Sequence, residues 1–276
     1  MIGLCAILPI MAGCAPALFR ANPQLQEKVQ SIKSVAIMPP GIKVYQLAVG
    51  GATQLMDEPT ETAKQIVATA IEKELRRHSG FVVKPFPSPS GILDTSGNLA
   101  AAGIRAELED TQALFEAVSA SVLLHTYKHD PDQTFPEKLK NFDYSLGPDV
   151  QQFAKVANAL LFISGVDHIS TGGRAALMFL GALIVSPGFL SPYIIGFPTF
   201  VASLAGRTIF SVALVDATTG ALLWYNVGGG GGIYSLTDPD SATHLVEEVF
   251  EGFPVGTRPT RKEDDRRGWP STPGPR

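Results

Sequence analysis

The chain has 276 residues and a mass of 29.3 kDa, enough for a core that needs no disulfide or metal to hold it together. Hydrophobic residues make up 45% of the sequence and charged residues 17%, which excludes a disordered protein. The formal net charge of −4 excludes a nucleic-acid-binding protein that depends on neutralising phosphates. Both cysteines, Cys5 and Cys14, lie near the start, so the rest of the chain has none for a disulfide framework, a cysteine-rich zinc site or a catalytic thiol.

The first 14 residues form an uncharged, mostly apolar segment. It is too short for a transmembrane helix, which needs about 20 apolar residues, but it fits the apolar region of a secretory signal, about 7–15 residues long. The run from Met11 to Cys14 resembles the bacterial lipobox, in which small residues precede a cysteine that becomes acylated. This resemblance implies a signal peptide over residues 1–13 and a lipid anchor, such as palmitate, on Cys14.

The residues next to Met1 and after Cys14 add detail to the predicted lipoprotein signal. Ala15, rather than aspartate, resembles the pattern that directs lipoproteins to the outer membrane, and the polar stretch that follows predicts a tether over residues 14–33. The absence of a basic residue after Met1 predicts a start codon further upstream. A buried apolar N-terminal strand or helix with incidental cysteines is the alternative.

The first part of the body alternates between strand and helix patterns. Residues 34–40 form an apolar run that two prolines end, which predicts a buried strand. Residues 57–80 predict an amphipathic helix, with a proline in its first turn and a glycine at its end. Residues 81–86 predict a second strand. The apolar residues of the helix lie at helical spacing: Ala63, Ile66, Val67, Ala70, Ile71 and Leu75.

The middle of the chain continues the alternation. Residues 104–127 predict a helix, although 122–124 also fit a strand, and the polar stretch 130–147 predicts a surface loop. Helical spacing returns after Pro148, and residues 160–165 predict another buried strand. Strands that alternate with helices in this way favour an α/β domain.

The last part of the body predicts a hairpin, a helix and a tail. Residues 208–226 contain two apolar runs around a short turn bounded by Asp216 and Gly220, which is typical of an antiparallel hairpin. Ser241 is the expected cap of a final helix, and residues 255–276 are proline-rich, charged and expected to be disordered. We therefore predict one α/β domain over residues 34–254, with a mixed sheet, flanking helices and a late hairpin.

The opening strand with its two prolines, the helix after it, and above all residues 159–165 and 214–224 resemble envelope lipoproteins similar to the TolB N-terminal domain. The curli secretion lipoprotein CsgG and the penicillin-binding-protein activator LpoB belong to the same neighbourhood. The resemblance covers about residues 31–254 and depends on weak motifs, since an Asp-x-x-Thr-Gly turn is common in hairpins. It implies an assembly, secretion or accessory factor without catalytic residues.

Three features could carry chemistry. His125 and His129 are four residues apart, as two metal ligands on one helix face would be, but solvated histidines near a helix end explain them better. Asp167 and His168 could join a serine in a hydrolase triad, but the chain has no Gly-x-Ser-x-Gly motif. The glycine run 228–232 lacks the Lys-Ser/Thr of a phosphate-binding loop and indicates a flexible exit from the hairpin.

Residues 175–206 form a stretch of 32 residues without a charge, interrupted by three prolines. One interpretation is an apolar helix buried on the sheet, followed by a loop across the core. The other is an insertion that enters the membrane or contacts identical copies.

Together these observations predict an outer-membrane, lipid-anchored protein on the periplasmic side that assists envelope assembly or transport. We expect no catalytic, cofactor or metal site, no nucleic-acid partner, an unidentified envelope protein as partner, and a possible homo-oligomer. The alternatives are a subunit of a membrane pore or secretion channel that uses residues 175–206, and a periplasmic metal-dependent hydrolase that uses His125 and His129.

Overall fold

The computed structural model describes residues 19–48, 52–78, 80–85, 99–127, 135–170, 206–230 and 234–256. Their elements, in chain order, are β1 Arg20–Ala21, α1 Leu25–Ser31, β2 Ser34–Ile37, β3 Gly41–Leu47, β4 Thr53–Leu55, α2 Asp57–His78, β5 Val82–Pro85, α3 Leu99–Thr126, α4 Pro136–Asn141, a 3₁₀ helix Pro148–Lys155, β6 Ala159–Ser170, β7 Gly206–Asp216, β8 Leu222–Gly230 and α5 Pro239–Val249.

The strands form one eight-stranded sheet in which β6 is central. The start of β6 pairs with β2 and its end pairs with β3, both in parallel, so β2 and β3 follow one another along the same edge of β6. The other edge of β6 pairs antiparallel with β7, which pairs antiparallel with β8. Parallel pairing on one side and antiparallel pairing on the other confirm the expected mixed sheet of an α/β domain.

Helices cover both faces of this sheet. One core lies between the sheet and helices α1, α2 and α5, and a second lies between the sheet, α3 and the segment 142–157. The first five residues of β6 are buried without interruption, because a central strand covered on both faces has no side for polar residues.

Helix α2 and the late hairpin confirm two predictions from the sequence. Ala63, Val67, Ile71 and Leu75 of α2 all face the first core. Strands β7 and β8 pair around a turn in which Gly220 has a φ of 74°, a value that glycine adopts without steric cost.

The predicted tether is wrong for its described part, because residues 20–31 are folded onto the domain. Strand β1 pairs with β8, and α1 buries Leu25 and Val29 in the first core. Arg20 donates hydrogen bonds to the carbonyl oxygen of Thr126 from Nη2 at 2.7 Å and from Nε at 3.2 Å, which holds β1 against the end of α3.

Two predictions for the middle of the chain also need correction. Residues 122–124 continue α3 rather than starting a strand. The described part of the predicted loop 130–147 contains α4 and then folds inward, with Phe142, Tyr144 and Leu146 buried in the second core. The backbone of Tyr144 accepts a hydrogen bond from the amide of Leu222, so this segment is fastened to the start of β8.

Near the end of the chain, the cap and the glycine run differ from expectation. Asp238, not Ser241, caps α5, and its side chain accepts a hydrogen bond from the Ser241 amide. The hydroxyl of Ser241 instead accepts a hydrogen bond from the Ser235 amide at 2.7 Å. The described part of the glycine run, Gly228 to Gly230, belongs to β8 and pairs with β7 rather than leaving the hairpin.

Candidate functional site

A cleft of about 940 Å³ opens where the chain passes from β2 to β3. Strand β2 ends at Ile37 because Pro39 and Pro40 cannot donate to a sheet ladder, and pairing with β6 resumes only at Gly41. The interruption leaves a gap beside β6, between the start of α2 and the middle of α3. The lining residues are Met38, Pro39, Pro40, Gly41, Ile42, Lys43, Leu55, Asp57, Thr60, Glu61, Lys64, Arg105, Leu108, Glu109, Gln112, Ala113 and Glu116.

Gln112 of α3 fills the break in the sheet. Its side-chain nitrogen donates a hydrogen bond to the carbonyl oxygen of Ile163 at 3.0 Å, at the point of β6 between the parts paired with β2 and with β3. Gly41 permits this approach, because a Cβ on it would lie 2.1 Å from the same nitrogen. The other amide atom, Oε1 of Gln112, is buried and has no hydrogen-bond partner among the residues that the structure describes.

The lining of the cleft carries charges of both signs, three basic residues and four acidic ones. Two ion pairs involve its lining: Lys43 Nζ lies 2.8 Å from Glu116 Oε2, and Lys64 Nζ lies 2.7 Å from Glu61 Oε1. Both pairs are partly exposed, so each stabilises the fold by at most about 1 kcal/mol. A mixed, partly apolar lining of this kind suits a protein or peptide segment better than a small ion of one sign.

A smaller cavity of about 260 Å³ continues from the cleft along α3 and shares Gly41, Lys43 and Glu116 with it. Beneath it the hydroxyls of Ser119 and Tyr225 lie 2.7 Å apart, and that of Ser211 lies 3.2 Å from Ser119. Burial raises the pKa of Tyr225 to about 12, although the hydrogen bonds with both serines partly oppose the shift. This polar cluster joins α3 to the sheet.

His125 is the described member of the predicted histidine pair, and it contacts two aromatic residues. Its Nδ1 shares a hydrogen bond with the hydroxyl of Tyr144 at 3.0 Å, and its ring lies 4.7 Å from that of Phe135, between centroids. His129 lies outside the described residues. Among the residues that the structure describes, no three His, Cys, Asp or Glu side chains form a group that could hold a metal ion.

Asp167 and His168 take separate roles. The Asp167 carboxylate is buried and accepts hydrogen bonds from the Thr208 hydroxyl, the Ser235 hydroxyl and the Leu236 amide at 2.8–3.1 Å. His168, the next residue of β6, stacks on Tyr45 with 5.4 Å between ring centroids. Neighbouring strand residues point to opposite faces, so these two side chains do not combine into a triad.

The other predicted features lie outside the described residues. These are the lipidation residue Cys14, the signal peptide 1–13, the uncharged stretch apart from its last residue, Gly206, and nearly all of the tail. No helix in the described parts of the chain has the length and apolar character to cross a bilayer.

Sequence reasoning missed the cleft and the Asp167 cluster. The two prolines followed by Gly41 are the local signal for the cleft, since they interrupt a strand that resumes at once. Asp167 has no comparable signal except its place as a carboxylate within a β-branched, apolar strand, where it needs buried donors.

Comparisons with known proteins find no matching family model and no matching curated protein. The chain is similar to a solved PelC dodecamer from Paraburkholderia phytofirmans in space group P6, with 13% identity, a TM-score of 0.30, and coverage of 84% of this chain and 91% of that one. It is also similar to a leucine-to-methionine variant of that dodecamer in space group C2, with 12% identity, a TM-score of 0.29, and coverage of 79% and 86%. TM-scores this low do not support an inference about fold or function.

Proposed function

We propose that the protein is an outer-membrane lipoprotein, anchored through Cys14 on the periplasmic side, that assists envelope assembly or transport by binding a protein partner. The observation that carries this proposal is the run Met11-Ala12-Gly13-Cys14 at the end of an apolar segment. Acyl chains stabilise membrane attachment by about 0.8 kcal/mol per buried methylene, so several chains on one N-terminus hold a domain firmly at a bilayer.

The described domain supports a binding role. Its cleft has apolar residues and partly exposed ion pairs, which suit contact with another polypeptide. Of the two histidines of the hydrolase alternative, His125 shares a hydrogen bond with Tyr144, and His129 lies outside the described residues. The resemblance to TolB-like envelope lipoproteins agrees with an accessory role.

A subunit of a membrane pore or secretion channel is a second candidate. The observation in its favour is the uncharged stretch of 32 residues, 175–206, which is long for a loop inside a compact domain. This candidate keeps the anchor at Cys14 and differs in that copies of the chain would assemble within the membrane.

The anchor is tested by expressing Cys14→Ser and Cys5→Ser in a Gram-negative host from the proper start. Cys14→Ser should move the protein from the membrane to the soluble periplasmic fraction, and mass spectrometry of the native protein should find an acylated N-terminus at Cys14. Cys5→Ser is the matched control and should change nothing, because Cys5 lies in the segment that is removed.

An unlipidated protein with an intact Met1, or a Cys14→Ser variant that stays in the membrane fraction, would overturn the proposal. The native preparation also separates the two candidates. A channel subunit should run as a large, detergent-dependent complex, whereas an accessory factor should run as a small species.

A further inference from the structure

Tyr45, His168 and Arg207 form a row across three neighbouring strands. In the register of the sheet, Tyr45 of β3 lies opposite His168 of β6, and His168 lies opposite Arg207 of β7. Residues directly opposite one another point to the same face of a sheet, with their Cβ atoms about 4.5–5.5 Å apart. The row therefore places a phenol, an imidazole and a guanidinium side by side on one face.

The row lies on the face of the sheet that α3 crosses. Lys43, two positions before Tyr45 on β3, forms its ion pair with Glu116 of α3. Since side chains alternate between the two faces of a strand, Tyr45 and the residues opposite it point to the same side as Lys43. Arg207 is exposed, and Tyr45 and His168 are half-buried. The row thus lies beside the helix and is accessible from solvent.

The backbone of the row is held in place from the buried face. Asp167 and Thr208, the neighbours of His168 and Arg207, lie opposite one another, and the Thr208 hydroxyl donates a hydrogen bond to the Asp167 carboxylate at 2.9 Å. On the other side of Arg207 is Gly206, whose φ is 149°. A Cβ on Gly206 would clash with the carbonyl oxygen of His168, so glycine lets β7 begin close to β6. These contacts fix the row before any ligand binds.

The polar atoms of the row are available to a ligand. Tyr45 and His168 are stacked, with 5.4 Å between ring centroids and 21° between ring planes. Stacking uses the faces of the two rings and leaves the imidazole nitrogens and the phenol hydroxyl at their edges. In the described parts of the chain, these atoms and the guanidinium of Arg207 have no hydrogen-bond or ion-pair partner.

The charges around the row favour an anion. Arg207 carries a permanent positive charge, and its fork of donors matches the oxygens of a phosphate. An acidic group, the Glu116 carboxylate, reaches this face from α3, but Lys43 neutralises it at 2.8 Å. Three donor groups on three strands can each contact a different oxygen. A phosphate has enough oxygens for all three, whereas a carboxylate has two.

We propose that the row of Tyr45, His168 and Arg207 is a binding site for a phosphate group. The Arg207 guanidinium carries the charge of the site, and the His168 and Tyr45 side chains donate to the remaining oxygens. The phosphate belongs either to a lipid headgroup or to a small soluble molecule. The site is part of the domain itself and requires neither the anchor at Cys14 nor a partner in the cleft.

NMR spectroscopy of the full chain, with carbon-13 in its histidines, tests the site. The Cys14→Ser variant is used, which carries no acyl chain whether or not the native protein does. His168→Gln identifies the imidazole signal of His168 by its loss, and the exposed His244 gives the background movement. The probes are inorganic phosphate and dihexanoyl phosphatidic acid below its micelle concentration, with sodium chloride as the blank at the same pH and ionic strength.

We expect the His168 signal to move to saturation with the phosphate probes and not with chloride. A midpoint for the lipid about tenfold or more below that of inorganic phosphate identifies a lipid headgroup as the ligand, and any other ratio identifies a soluble phosphate. No saturable movement of the His168 signal beyond that of His244 with either probe would overturn the inference.

Variants of the row test which groups bind. Arg207→Gln should raise the midpoint about tenfold or more, because it removes charge-assisted hydrogen bonds. Tyr45→Phe keeps the stacked ring, loses only the hydroxyl, and should raise the midpoint about threefold. Arg76→Gln, at an exposed arginine of α2, is the matched control and should leave the midpoint unchanged. An unchanged midpoint in Arg207→Gln overturns the inference, and Tyr45→Phe decides in the same way if Arg207→Gln alters the circular dichroism.

Discussion

Asp167 connects the segment after β8 to the centre of the sheet. It is 2% exposed, and it accepts hydrogen bonds from Ser235 and Leu236 of that segment and from Thr208 of β7. The segment reaches α5 three residues later, where Asp238 caps the helix. One carboxylate therefore determines where α5 begins to pack on the sheet.

Replacing Asp167 with alanine should lower the free energy of unfolding by about 3 kcal/mol. The Leu236 amide and the Ser235 hydroxyl would lose their buried acceptor, and each unsatisfied buried donor costs about 1–3 kcal/mol. The midpoint of urea denaturation measures the loss. His168→Ala, which removes only a half-buried ring stacked on Tyr45, is the control and should cost about 1 kcal/mol or less. Equal effects of the two substitutions would show that Asp167 has no special role.

Gly228 illustrates why single residues are hard to interpret from sequence. A glycine run after a hairpin indicates flexibility, but Gly228 lies in β8, and a Cβ on it would lie 2.6 Å from Cγ2 of Val249. The glycine is needed because α5 packs closely on the strand. Nothing local in the sequence specifies this requirement, since Val249 comes 21 positions later in the chain.

At the scale of elements, sequence periodicity predicts the elements that bury a regular face. Helix α2 and strands β7 and β8 are of this kind, and the patterns place each within a few residues of its position. Strand β1 and helix α1 do not bury a regular face, because β1 has only two residues and α1 buries only Leu25 and Val29 among its seven residues. Their structure depends on pairing with β8 and on packing against the first core. Composition alone does not show these contacts, and it therefore favours a polar tether for this segment.

Helix α1 should come away from the domain more readily than the sheet unfolds. Seven residues do not hold a helix by themselves, so α1 depends on its buried leucine and valine. Leu25→Ala should raise the amide hydrogen exchange of residues 20–31 at least tenfold, which corresponds to about 1.4 kcal/mol, with a smaller change in β6 and β7.

The exposed Gln26→Ala is the matched control on the same helix and should leave all exchange rates within about twofold. If Leu25→Ala raised exchange equally in α1, β6 and β7, the N-terminal segment would be part of one cooperative unit with the sheet.

At the scale of the whole molecule, the fold class follows from the order of elements, but the cleft does not. The alternation of strands and helices predicts an α/β domain, which the structure confirms. The cleft arises because β2 and β3 share one edge of β6, and Gln112 contacts Ile163, 51 positions away, in the gap between them. Such an arrangement depends on the register of distant strands, which local patterns do not specify.

The stability of the whole molecule should fall as the pH rises above 10. The pKa of Tyr225 is raised from 10.0 to about 12, chiefly by burial, and burial also raises the pKa of Tyr127. Between pH 10 and about 12 the unfolded chain loses these protons while the folded protein keeps them, so unfolding is favoured by up to about 1.4 kcal/mol per pH unit for each tyrosine. Below pH 10 this contribution to stability is complete.

Urea titrations at several pH values from 8 to 11.5 measure this slope. Tyr225→Phe should reduce this slope by the part that one tyrosine contributes. The variant should also be less stable at pH 8, because the Ser119 hydroxyl loses a hydrogen-bond partner. The exposed Thr219→Ala should leave the slope as it is. An unchanged slope in Tyr225→Phe would mean that this hydroxyl ionises at an ordinary pH in the folded state.

The pairing of β1 with β8 joins residue 20 to residue 225, nearly opposite ends of the described chain. Contacts between such distant positions form late, because the entropy of closing a long loop opposes them and slows folding. A chain that emerges from its N-terminus first cannot dock β1 until β8 has also emerged. Residues 20–31 therefore stay undocked until β8, the last strand, is available, and the sheet is completed only at the end of folding.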